Sequence, residues 1–133
     1  VAAEIADSGE PIETPAVVLS GGETTVTVTG DGSGGPNCEF ALGGATDLPT
    51  GAVLAAVDTD GRDGSTDAAG ALVDSSTVTD SMAARTALAD NDSYGYLEDR
   101  EALLSCGATG TNVNDLRVVV IPDRQYRFDG GRS

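Results

Sequence analysis

GAVLAAVD, residues Gly51–Asp58, sets six apolar side chains in a row between a glycine and an aspartate. The run is short for a helix and shows no apolar–polar alternation, so it predicts a strand buried on both faces. A sheet holding such a strand carries other layers against it, and this makes α/β the expected fold class. LRVVVI at 116–121 predicts a last strand, closed by Pro122. AVVL at 16–19 reads as a short buried strand. Beyond Gly21-Gly22, TTVTVT at 24–29 alternates, with Val26 and Val28 on one face and Thr25, Thr27 and Thr29 on the other. Two such runs about a Gly-Gly turn predict a β-hairpin. AAGALVD at 68–74 fits a short helix or a strand.

Helical signals fall between these runs. CEFALGGA at 38–45 supports two turns, with Asn37 placed to cap them and Glu39 in the first turn, where a carboxylate suits the dipole. A second helix is expected from Thr79, capped by Thr79 or Asp80, with Met82, Arg85, Leu88 and Ala89 near helical spacing. NDS at 91–93 can end it and cap another short helix carrying Tyr94, Tyr96 and Leu97. Leu103 and Leu104 lead into a further loop. The expected architecture is a mixed sheet, at least partly antiparallel, that includes a hairpin and is flanked by short helices in a single domain over 16–122. Residues 1–15 hold few apolar side chains and two prolines, which predicts an extended lead-in, and 123–133 form an Arg-containing tail.

The chain of 133 residues suits one domain, and its apolar content of 39% fits a globular protein. It begins at Val1, which we read as the sign of a fragment or a processed chain. No apolar run approaches the roughly 20 residues that span a bilayer. Seven basic against 22 acidic residues give a net charge of −15, and every basic residue is Arg; there is no Lys and no His. Such a surface repels nucleic acid and anionic membranes, which excludes both as partners. Strand-patterned Val runs argue against disorder. At molar salt the Debye length is roughly 3 Å, so dense like charge costs little there. We therefore expect a halophilic protein from a salt-rich cytoplasm. Cys38 and Cys106 lack a C-x-x-C partner and, without His, cannot complete a zinc site, so two reduced, packed thiols are expected.

Three polar loops border the apolar strands, and α/β sheets place ligands at strand ends. GDGSGGPN at 30–37 sets Gly30, Gly32 and Gly35 at dinucleotide-fingerprint spacing, but the strand before it belongs to a hairpin. A P-loop is excluded because its lysine has no counterpart. Successive amides in a Gly-rich turn can still form an anion nest. TDGRDGSTDAAG at 59–70 opens like a calcium loop, yet register removes that reading. With Asp58 at position 1, Arg62 falls at 5, Asp63 takes the glycine position, and Ala69 stands where a glutamate is required. Asp60 and Asp63 can serve Mg²⁺, which needs one or two carboxylates plus phosphate; a solvated acidic turn is the other reading. GATGTNVND at 107–115 offers two Thr, two Asn and an Asp, enough for turn bonding or for a small polar ligand.

Taken in order, GGETTVTV, G-x-G-G-x-N-x-E-F-A-L, TDGRDGSTDAAGA, NDSY and TGTNVNDLRVVVI resemble the MOFRL domain, from about Val17 to Ile121. That is the C-terminal domain of the glycerate 2-kinase family, some members of which carry the label hydroxypyruvate reductase. The resemblance implies ATP-dependent phosphorylation of D-glycerate to 2-phosphoglycerate in the cytoplasm, with Mg²⁺, in a cleft shared with an N-terminal Rossmann-like domain. A lysine from that other domain is implied in the chemistry. By the same resemblance Gly34, Gly35, Asn37, Glu39, Asn112, Asn114 and Asp115 face substrate or phosphate, and Asp60 and Asp63 face Mg²⁺. Three positions of the first loop depart from the pattern: Ser33 and Pro36 stand where the family commonly carries arginine, and Cys38 where it carries glutamine. The alternative is a non-catalytic ligand-binding module of the same fold, and a hydroxypyruvate oxidoreductase is a third reading.

Overall fold

Val53–Asp58 forms a strand, β2, at the centre of the sheet, and the computed structural model describes residues 2–22, 30 and 32–123 around it. The elements in chain order are helix α1 (Ala2–Ser8), β1 (Ala16–Gly22), α2 (Pro36–Ala45), β2, β3 (Gly70–Asp74), α3 (Ser81–Ala89), α4 (Ser93–Asp99), β4 (Leu103–Leu104) and β5 (Asp115–Ile121). The strands lie in the order β1-β5-β2-β3-β4, each antiparallel to its neighbours. The α/β class holds, with the sheet antiparallel throughout the described residues. β1 pairs with β5, Ala16 opposite Ile121 and Gly22 opposite Asp115. The second arm of the expected hairpin, 24–29, lies outside the described residues, as does the tail from 124.

One face of the sheet builds the core. Leu54 and Ala56 of β2, and Ala71 and Val73 of β3, are buried against Cys38, Ala41, Leu42 and Ala45 of α2. Those four helix positions follow the i, i+3, i+4, i+7 spacing of a single helical stripe. The segment 68–74, open to either reading in sequence, becomes strand because its alternating Ala71 and Val73 pack beneath that stripe. Gly44 lets the helix sit close: a Cβ there would stand 2.7 Å from Leu54 Cδ2. Asp80 caps α3 as expected, its Oδ1 accepting from Met82 N at 3.0 Å and Ala83 N at 3.3 Å. The buried side of α3 is Ala84 rather than the Met82–Arg85 line, and Met82 is 65% exposed.

The first 15 residues are not an extended lead-in. Ala2, Ala3 and Ala6 favour helix, Glu4 suits the first turn, and Gly9 closes α1 at φ +74 with its N–H on the Ile5 carbonyl at 2.9 Å. That is a left-handed C-terminal cap of the kind glycine supplies. Ile5 and Ala6 are fully buried beside Ala16, Ala52 and Ile121 in a second cluster. An Ile5→Ala variant should lose about 2–4 kcal/mol of unfolding free energy, measured as a lowered urea midpoint, whereas an extended lead-in would make it silent.

Candidate functional site

The antiparallel register decides where the loops go. Gly22 and Asp58 both lie opposite Asp115, and Gly70 lies opposite Leu104. The segments after β1, after β2 and after β4 therefore leave the sheet at the same end, which is also where α2 begins. The three polar stretches of the sequence meet there.

Asp63 is the centre of that meeting. It is fully buried, and its Oδ1 accepts the Asn37 N–H at 2.8 Å while Oδ2 accepts the Cys38 N–H at 2.8 Å. These are first-turn amides of α2, so a carboxylate 25 residues away in sequence performs the capping. Asn37 was expected as the cap; Gly35 holds the cap position, Pro36 opens the helix, and Asn37 lies inside it. A Cβ at Gly35 would stand 2.6 Å from the Asp63 carboxyl carbon, so the loop reaches its capping group only through a glycine. The Asn37 side chain faces inward too. Its Nδ2 donates to Asp63 Oδ1 at 3.2 Å and to Asp115 Oδ1 at 2.9 Å. Turning the amide over would set its oxygen against two carboxylates, which fixes its orientation chemically. Asp115 is buried and lies 3.6 Å from Arg117 Nη2, whose guanidinium stacks over Phe40 at 4.5 Å. A polar relay thus ties the N-terminus of α2, the 59–69 loop and the start of β5.

The glycine loop rests on the α3–α4 junction. Gly30 N donates to Asn91 Oδ1 at 2.8 Å, Gly32 N to the Asp90 carbonyl at 2.8 Å, and Ser33 N to Asp92 Oδ1 at 3.1 Å. Those amides are spent on protein acceptors, which leaves less of an anion nest than the glycine pattern suggested. Asn91, at φ +54, also donates to Glu39 Oε1 at 2.8 Å. This joint was missed in sequence, although the NDS stretch marks the break between the helices. Two threonines stitch the other loops: Thr59 Oγ1 donates to the Asn114 carbonyl at 2.7 Å, and Thr109 Oγ1 to the Thr59 carbonyl. Asn112 Oδ1 accepts Asn114 N at 2.9 Å, a turn that holds Asn114 at φ +71.

The surface left between these loops is a groove of about 670 Å³ lined by Asp60, Arg62, Asp67, Thr111, Asn112 and flanking glycines and alanine. A smaller hollow of about 190 Å³ adjoins it at Asp67, beside Ser33 and Tyr94. The site residues inferred from sequence therefore divide. Asp60 and Asn112 line the groove; Asn114 is exposed in the adjoining turn. Gly35, Asn37, Asp63 and Asp115 are buried beneath as scaffold, and Gly34 and Glu39 are half-buried at the glycine loop. Asp63, expected at Mg²⁺, has both oxygens committed to α2. Arg62, not singled out before, brings a cation to the groove, steadied by its Nε on the Thr66 carbonyl at 3.2 Å. Of the two cysteines, Cys38 is packed, its thiol pushed above the ordinary range by burial and by Asp63. Cys106 is exposed, against the expectation of two packed thiols.

A small α/β domain that gathers three polar loops over one end of an antiparallel sheet is built to present a polar face to a ligand or a neighbouring domain. The chain belongs to the MOFRL family, whose pattern matches residues 16–115. The glycerate 2-kinase of Pyrococcus horikoshii is 42% identical over 132 residues, covering 93% of this chain and 30% of that protein. The D-glycerate 2-kinase of Thermotoga maritima is 45% identical over 124 residues, again covering 30% of the relative. The crystal structure of the Thermotoga maritima glycerate kinase superposes with a TM-score of 0.87 at 44% identity, covering 91% of this chain and 31% of that one. The chain thus spans about 30% of the length of these relatives.

Two outcomes test the site. Asp63→Ala, which strands the Asn37 and Cys38 amides, should cost roughly 2–4 kcal/mol in urea titrations. The loss should be the same with and without Mg²⁺; a midpoint that responds to Mg²⁺ only in the parent would return Asp63 to a metal role. Burial, with Asp60 and Asp115 nearby, holds the Asp58 carboxyl above its ordinary range. The folded state therefore binds that proton more tightly than the unfolded chain, and ionised Asp58 costs stability at pH values above its folded pKa. Asp58→Asn should raise the melting temperature at pH 7, and the gain should fade in thermal scans as the pH falls towards the unfolded value near 3.8.

Proposed function

We propose that this chain is the C-terminal domain of a glycerate 2-kinase-like enzyme and supplies one wall of the cleft in which D-glycerate is phosphorylated by ATP. The observation that carries the reading is the convergence of the loops 32–35, 59–69 and 105–114 on one sheet end, locked by the Asp63–Asn37–Asp115 relay. The kinase names of its relatives supply the reaction. Phosphoryl transfer is mostly positioning plus electrostatic stabilisation, and it draws on cations around the moving group. The groove offers Arg62 beside Asp60 and Asp67, an acidic balance that calls for cationic groups from elsewhere. We assign that contribution to a second, Rossmann-like domain of the same enzyme, in a halophilic cytoplasm.

ATP and Mg²⁺ belong to this reading as family expectations. Asp63 does not fit as a Mg²⁺ ligand, and no set of three or more acidic or thiol side chains converges for a metal among the described residues. Asp60, which lines the groove, is the carboxylate that would serve Mg²⁺ there, together with substrate phosphate. Ser33 and Pro36, uncharged where the resemblance implies arginine, favour the second reading, a ligand-binding module without catalysis.

A coupled ATP-consumption assay with D-glycerate separates the two. The isolated chain should turn over nothing measurable, and the same chain joined to its second domain should phosphorylate glycerate. In that active form Asn112→Ala should lower kcat/KM about tenfold, the worth of one hydrogen bond. Robust turnover by the isolated chain, or none by the joined form, rejects the proposal.

A further inference from the structure

The strand that fixed the fold class holds a mismatch. GAVLAAVD has the composition of a strand covered on both faces, yet only one face of β2 is covered here. Leu54 and Ala56 are buried under α2, whereas Val53, Ala55 and Val57 are only partly covered. The register extends that second face across the sheet. Val53 lies opposite Val120, which lies opposite Val17; Ala55 opposite Val118, which lies opposite Leu19; Val57 opposite Leu116. Leu72 of β3 joins it across from Ala55. Leu19 is 67% exposed, Val17 57%, Leu72 45% and Val120 43%. On a chain carrying −15 this face holds no charge across β1, β5 and β2, and Asp74 sits at its corner opposite Val53. Three strands of six or seven residues span roughly 15 by 20 Å. A contiguous apolar patch of a few hundred Å² is often functional.

We infer that this open sheet face is the seat of the rest of the enzyme: an apolar, helix-bearing layer from the polypeptide outside these 133 residues packs on Val17, Leu19, Leu72, Leu116, Val118 and Val120. The occupant is argued from length and pattern. The chain spans about 30% of its kinase relatives, so a longer polypeptide is available to cover it. The doubly apolar β2 also matches a central strand with helices on both sides. The inference rests on the proposed membership of a larger enzyme, but it concerns the sheet face, not the groove at the sheet end.

Thiol accessibility tests it without relying on activity. In a Cys106→Ser background, Leu19→Cys and Val120→Cys each report on the face, Ser76→Cys is an exposed control, and buried Cys38 stays silent. The parent residues are exposed, so these variants should fold. In the isolated chain both reporters should react with a maleimide as fast as the control. In the full product of the natural reading frame they should react at least 100-fold more slowly at every protein concentration. Equal reactivity in both forms overturns the inference, as does a reading frame that encodes nothing further. Protection of the isolated chain that disappears on dilution would make a second copy the occupant. Protection that disappears on truncation after Asp123 would make it the chain's own tail; either result overturns the inference. Protection in a full product that phosphorylates no glycerate would retain the docking surface and reject the kinase reading.

Discussion

A single buried carboxylate organises the loop end of this domain. Asp63 takes the two first-turn amides of α2 and a side-chain amide of Asn37, three N–H donors on two oxygens. A helix start buried without partners would leave those donors stranded at a cost of about 1–3 kcal/mol each. Supplying the acceptor from the 59–69 loop means that the helix cannot form its first turn, nor the loop its fold, independently of the other. Asn37 passes the constraint to Asp115 at the foot of β5, and Arg117 and Phe40 close it on the helix side. The groove rim is therefore positioned by groups that never reach the groove.

This explains how far the sequence could be read. Strands β2 and β5 were legible because their apolar runs have few alternative structures, and α3 because Asp80 sits where a local cap belongs. The capping of α2 was not legible. Its acceptor comes from a distant loop, and an acidic residue in a run such as TDGRDGSTD looks the same whether it binds an amide, a metal or water. The motif residues lie at one end of the sheet, and their depth was invisible in the sequence: Asn37, Asp63 and Asp115 lie beneath the groove and Asn112 lines it. α1 was missed for a different reason, since two prolines masked an Ala-rich helix that ends cleanly at Gly9.

The departure of β2 from its sequence pattern carries more than a boundary error does. A strand exposed on one face normally records that face in polar residues at every second position. Here every position from Ala52 to Val57 is apolar, and the facing residues of β1 and β5 are Val and Leu. Among the described residues no acidic side chain stands on this face within β1, β5 or β2, and Asp74 only marks its corner. Charge of that density would be easy to scatter over a solvent face and costly to bury under another layer. Its exclusion from the β1–β5–β2 part of this face is a physical constraint on what that face touches.

The two surfaces then divide the work of association. An apolar sheet face contributes adhesion without direction, because burial of Val and Leu is non-directional. The loop end contributes direction without adhesion, because its acidic rim repels like charge and rewards only a cation-bearing neighbour. A layer that covers the face and overhangs the strand ends meets both requirements at once. In the docking we propose, the contact that holds the covering layer also completes the acidic groove. In the glycerate 2-kinase-like enzyme we propose, Ser33 and Pro36 bring no charge to the rim, and positive charge beyond Arg62 has to come from the covering polypeptide.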